Sequence, residues 1–222
     1  MHQVLVNSFE KKVSWMSKRP GKVFVDTNIL LHADMYQHDN IFDWIDALYE
    51  EVYIHQMVLD EILSASAKHK VTQYIDDGRW HLFNPDDENC LSDDLYDIYE
   101  GYVHQMKQAF RRLDQKKIKQ GRRLKGTNDL GEIHCLAAAL LISAAIICSN
   151  DGDIQEVIDD NELEVASEDE TENRKLVQDT LKDFCYYICL HKIAPESNVR
   201  KLLKAFQKEK IQELDALLNT IR

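Results

Sequence analysis

Four short apolar runs, at residues 23–25, 52–54, 80–83 and 145–149, are separated by stretches whose apolar residues recur at helical spacing. That alternation restricts the fold more than any other feature. Strand-helix-strand order implies a mainly parallel sheet with helices on both faces and right-handed crossovers. A weaker run at 163–166 completes the pattern. The expected class is therefore α/β, a three-layer α/β/α sandwich around a central, mainly parallel sheet. If the strand order is 3-2-1-4-5, direction reverses between the first and fourth strands, and a crevice opens there at their carboxyl ends.

A chain of 222 residues can bury a substantial core and still carry additions. The expected organisation is an N-terminal helical extension over 1–21, an α/β unit over 22–166 with a helical, partly basic insertion at about 84–126, and an acidic linker with C-terminal helices over 167–222. Val6, Phe9, Val13 and Met16 form the stripe of the first helix, which Pro20-Gly21 breaks. Further helices are expected over 41–51, 57–69, from Thr127 or Asn128 to about 144, up to Asp160, over 174–192 and over 197–222. The last carries Val199, Leu202, Leu203, Phe206, Leu214, Leu217, Leu218 and Ile221 at spacings of three and four. That stripe serves packing on its own unit or docking of a partner or a second copy, so a homo-oligomer stays open.

Several classes are excluded early. The longest apolar stretch, 135–148, is too short to span a bilayer and is interrupted by Ser143. Asn7, Glu10, Lys11 and Lys12 leave no apolar signal-peptide core, so a cytoplasmic location is expected. The five cysteines are scattered without a CxxC pair, which argues against a zinc site or a disulfide framework. The stretch from Asn150 to Glu156 lacks the glycine at loop position six and the terminal glutamate of a calcium loop.

A net charge of −12 argues at first against a polyanionic substrate. The distribution of that charge argues the other way. Residues 105–126 hold nine basic side chains against the single acid Asp114, so an acidic body carries one basic arm. Such a run is either a solvated face or the positive surface that guides a nucleic acid. Arg111, Arg112, Arg122 and Arg123 are its candidate RNA-binding residues.

The acids supply the chemistry. Asp26 ends the first strand and Asp151 follows the fourth, so the expected topology puts both in one crevice. Glu132, in the first turn of its helix, and Glu61, in the middle of another, can point the same way. Four carboxylates in one cleft cannot all stay ionised without a cation. Oxygen-only ligation suits Mg²⁺ or Mn²⁺ rather than zinc. One or two such ions, about 3.5–4 Å apart if paired, would activate water and stabilise charge during phosphodiester cleavage. Each acid also has a plainer use. Asp26 serves equally as a helix cap, Asp60 competes with Glu61, Asp129 is a cap or a substitute for Glu132, and Asp153 is a ligand or a cap.

The motifs carry a family likeness. Val23-Phe24-Val25-Asp26-Thr27-Asn28-Ile29-Leu30-Leu31-His32 resembles the opening of a PIN-domain nuclease. Residues 54–62, with Glu61 on the acidic position, resemble that family's second motif. Residues 129–137, where Gly131-Glu132 opens an alanine-rich helix, resemble the third, and 146–151 the fourth. The resemblance covers residues 22–166 and implies a Mg²⁺- or Mn²⁺-dependent endoribonuclease leaving 5′-phosphate and 3′-hydroxyl ends. It implies that Asp26, Glu61, Glu132 and Asp151 hold the metal, with Thr27 or Asn28 hydrogen-bonding behind them. Many small members are toxins paired with an antitoxin, which makes an antitoxin an expected partner. The insertion and the helical tail depart from those smallest members. A catalytically silent PIN-like scaffold binding RNA or protein is the alternative.

Overall fold

Each apolar run becomes a strand; the first, third and fourth stop before Asp26, Asn84 and Ser149, and the second runs on to His55. The computed structural model describes residues 18–125, 129–167 and 172–220. The helix expected at 6–17 and the caps Thr127 or Asn128 lie outside the described residues. β1 (Arg19–Val25) leads into α1 (Thr27–Met35) and α2 (Ile41–Leu48); β2 (Tyr49–His55) leads into α3 (Gln56–Glu61) and α4 (Ala65–Asp76). Then come β3 (His81–Phe83), α5 (Asp93–Lys119), α6 (Leu130–Ile142), β4 (Ile146–Cys148) and α7 (Gly152–Asp160). The chain closes with β5 (Glu164–Ala166), β6 (Asn173–Lys175), β7 (Val177–Asp179), α8 (Leu181–Leu190), α9 (Glu196–Phe206) and α10 (Ile211–Asn219).

The main sheet has five parallel strands in the order β3-β2-β1-β4-β7, flanked by helices as an α/β/α sandwich. The expected reversal of strand order between β1 and β4 is present, but the fifth strand is a correction. Residues 164–166 do not join the sheet; they pair antiparallel with β6 in a separate ribbon. The reason lies in burial. β5 buries only Val165 and exposes Glu164 and Ala166, as a half-solvated ribbon does, whereas a parallel strand is covered on both faces. β7 takes the place although two of its three residues, Gln178 and Asp179, are polar and buried. Asp179 is matched by the Arg19 guanidinium at 3.0 Å and the Tyr49 hydroxyl at 2.9 Å. The α/β unit thus draws its last strand from beyond residue 166, and the helix expected over 174–192 begins only at Leu181. Thr180 and Asp183 cap it reciprocally.

Two other helices are cut. The stretch 57–69 breaks at Ile62, whose backbone is extended, and Ser64 caps a new helix. Glu61 is therefore the last residue of a short helix rather than a mid-helix residue. The stretch 41–51 stops at Leu48, and Tyr49 starts β2. By contrast, the insertion carries one long helix that ends just before Gly121, with 122–125 neither helix nor strand. α5 runs unbroken through Lys119, with Asp93 and Asp94 in its first turn and Lys116, Lys117 and Lys119 in its last, which suits the helix dipole. Its stripe of Tyr99, Val103, Met106, Phe110 and Leu113 is buried in the common core.

The C-terminal stripe is spent within the chain: Val199, Leu202, Leu203, Leu214 and Leu218 are all buried. Phe206 stacks on His32 with ring centroids 4.2 Å apart, and Gln207 donates to Asn150 Oδ1 at 3.1 Å. Among the described residues no helix is long and apolar enough to cross a membrane.

Candidate metal centre

The adjacent carboxyl ends of β1 and β4 set the first two acids. Val25 pairs with Cys148, and the Asp26 N–H donates to the Cys148 carbonyl at 3.0 Å, so the strands are locked up to the acid. Asp26 is buried and caps α1, its Oδ1 accepting from the Thr27 N–H at 2.7 Å. Its Oδ2 accepts from Ser149 Oγ at 2.7 Å and from the Asn28 amide. The capping role is therefore filled by this residue, which also lies close enough to Asp151 and Glu61 for their charges to act on it. Burial pushes its carboxyl up to about 6; the Ser149 and Thr27 donors pull it down, while the charges of Asp151 and Glu61 push it further up.

Asp151 caps α7, with its Oδ1 accepting from the Asp153 N–H at 2.8 Å. Its turn is held from β7, where the Gln178 amide donates to the carbonyls of Ser149 at 2.6 Å and Asp151 at 2.7 Å. Ser149 is fully buried and joins the two acids: it donates to Asp26 and accepts from the Asp151 N–H at 3.1 Å. Sequence reasoning assigned it no role. Its signal was the small polar residue ending an apolar run, as at Thr27 and Asn28.

Glu132 and Glu61 arrive from helices. Glu132 sits in the first turn of α6 and brings a carboxylate oxygen within 4.8 Å of one from Asp151. Burial, the closeness of Asp151 and the nearby charge of Asp26 raise it to about 8, so it keeps its proton at neutral pH. Burial pushes Asp151 up, yet Lys125, the Asp153 N–H and Glu132 together hold it below the ordinary range. Glu61 accepts from Thr27 Oγ1 at 3.1 Å. The start of α6 closes on it so tightly that a Cβ on Gly131 would lie 2.9 and 3.0 Å from its two carboxylate oxygens. Gly131→Ala is expected to leave thermal stability nearly unchanged, because a side-chain tip can yield. Moving Glu61 should weaken Mn²⁺ binding several-fold by calorimetry, and unaltered binding would remove Glu61 from the centre.

Of the supporting residues, Thr27 and Asn28 brace the acids as expected, and Asn28 Oδ1 also accepts from the Asn150 N–H at 3.0 Å. Asp129 takes a left-handed backbone (φ 46°), which aspartate tolerates, and comes in among the acids. Among the described residues, Asp129, Glu132 and Asp151 are the trio that can each offer one oxygen within 4.8 Å of the others; Asp26 and Glu61 stand outside that trio. Asp153 is buried against Lys117 Nζ at 2.5 Å, an ion pair that fastens α5 to α7.

The basic arm lies along α7. Arg112 donates to Asn161 at 2.6 Å, and Arg122 grips Glu156 at 2.8 and 2.9 Å. Arg111 instead lines an open cleft of about 400 Å³ with Lys107, Asp114 and Asp129, next to the acids. Arg123 and Arg111 take part in none of the ion pairs among the described residues. Lys125 is the residue sequence reasoning missed. Its ammonium pairs with Asp151 and lies 3.2 Å from Asp153 and 3.5 Å from Asp129. His55 and His134 are packed instead, both bonded to Tyr99 Oη, at 2.9 and 2.6 Å.

Three observations fit these residues to a hard divalent cation. The donors are all carboxylate oxygens, the Lys125 ammonium already sits against two of the trio, Asp129 and Asp151, and Gly131 leaves space at Glu61 that any other residue would fill. Compared with known proteins, the chain matches no family model and no curated protein.

Proposed function

We propose that this is a PIN-like, Mg²⁺- or Mn²⁺-dependent endoribonuclease. One observation carries the reading: acids from four separate segments meet where β1 and β4 end, and each influences another's ionisation. Asp26, Glu61, Glu132 and Asp151 would hold the metal, with Asp129 beside them. When bound, such an ion polarises the phosphate and lowers the pKa of the attacking water. The chain's own part is to hold the acids against repulsion. Thr27, Asn28 and Ser149 supply donors to the acids, and Glu132 holds a proton that it must release on loading. The cleft at Lys107 and Arg111 offers positive charge beside Asp129 for the RNA backbone.

The test is cleavage of a broad RNA panel with Mg²⁺, Mn²⁺ or chelator, wild type beside Asp26→Asn. No metal-dependent cleavage would favour the silent scaffold, a reading that the ammonium seated among the acids also suits. Replacing Arg111, Arg112, Arg122 and Arg123 with Ala should weaken RNA binding and flatten its salt dependence, most of all through Arg111. An unchanged salt slope would take the arm out of the interface. A toxin role with an antitoxin partner follows from the family likeness alone.

A further inference from the structure

One ammonium touches three of the acidic side chains at once, and its surroundings differ from those of every other lysine on the arm. Lys117 is a permanent partner: its side chain is 4% exposed, and it holds Asp153 at 2.5 Å from within a helix. Lys125 is 30% exposed and stands in a stretch, 122–125, that is neither helix nor strand. Its withdrawal would break no element. Asp153 would keep Lys117, whereas Asp129 and Asp151 have no other basic partner among the described residues. The stretch is also tethered close by. The Arg122 N–H donates to the Lys117 carbonyl at 2.9 Å and its guanidinium grips Glu156, so a withdrawn Lys125 stays at high effective concentration.

We propose that Lys125 is a built-in competitor for the divalent ion, its ammonium occupying Asp151 and Asp129 until it withdraws. This rests on the metal-centre reading above. A single charge on a long, flexible stem satisfies the acids without fixing their geometry. A divalent ion brings twice the charge but must first find the pocket vacated. Observed affinity is then the intrinsic affinity multiplied by the fraction of molecules in which Lys125 is out. The side chain thus sets the concentration at which the centre loads.

The experiment is calorimetric titration of Mn²⁺ into the full chain at fixed pH and salt, for wild type, Lys125→Met, Lys125→Gln and Lys119→Met. Both Lys125 variants should bind at least tenfold more tightly. Without metal they should melt below wild type, and their gain in melting temperature on adding Mn²⁺ should be larger. Lys119→Met removes the same charge from the same arm away from the pocket, and should stay within about threefold of wild type. Equal or weaker binding by the Lys125 variants would overturn the inference while leaving the metal centre standing. So would a Lys119→Met gain as large as theirs, since the effect would then be the arm's net charge. If none of the four proteins binds Mn²⁺, the metal centre itself falls, and the inference with it.

Discussion

Asp26→Asn should lower metal-dependent RNA cleavage by about 10²–10³-fold or more, the scale on which removing one charge-stabilising group acts. The substitution keeps the shape and the cap, since an amide oxygen still accepts from the Thr27 N–H. It removes the negative charge at the buried end of β1, and its amide nitrogen would face Ser149 Oγ and the Asn28 amide. The fold should survive, because the wild-type charge is itself disfavoured by burial. Wild-type activity should also rise with pH. Loading requires Asp26 and Glu132 as carboxylates, and they lose their protons near about 6 and about 8. Cleavage should therefore climb from pH 6 to pH 8. Retained cleavage in Asp26→Asn, with an unchanged metal requirement, would place the chemistry elsewhere.

Arg19→Ala should cost about 3 kcal/mol of stability at pH 8 and clearly less at pH 5. Asp179 is buried at the end of β7 and, among the described residues, meets only one cationic group, the Arg19 guanidinium, which also stacks 3.8 Å over Tyr187. Burial raises the Asp179 carboxyl to about 6, against the pull of Arg19 and of Tyr49. A raised folded-state pKa stabilises at low pH, and that contribution is lost as pH rises through it. Removing Arg19 raises the pKa further. Wild type and variant therefore share a protonated, inexpensive Asp179 at pH 5 and diverge above pH 6. Chemical denaturation at both pH values measures the difference. A cost independent of pH would mean that Arg19 acts through Tyr187 stacking rather than through the buried acid. The consequence reaches the centre, because the same strand carries Gln178, which holds the turn before Asp151.

What was legible in the sequence follows a physical division. Asp26 and Asp151 could be placed because each follows an apolar run, and a parallel sheet has only one end where such residues meet. Glu132 could be placed because a first-turn acid suits a helix dipole. Glu61 was found but set mid-helix, since Ile62 and Leu63 extend the apolar spacing; Leu63 is in fact 94% exposed and the helix has already ended. β7 was hidden because Gln178 and Asp179 are polar residues whose partners lie far along the chain, at Ser149, Asp151, Tyr49 and Arg19. Lys125 was hidden for the opposite reason: within a run of basic residues nothing local separates the lysine that reaches Asp129 and Asp151 from its neighbours.

The most direct measurement is anomalous diffraction from crystals equilibrated with Mn²⁺. A peak ringed by the carboxylates of Asp26, Glu61, Glu132 and Asp151, with Asp129 alongside and the Lys125 ammonium moved out, is the predicted result. Crystals at millimolar Mn²⁺ that show no peak there, with Lys125 still seated among the acids, would contradict it.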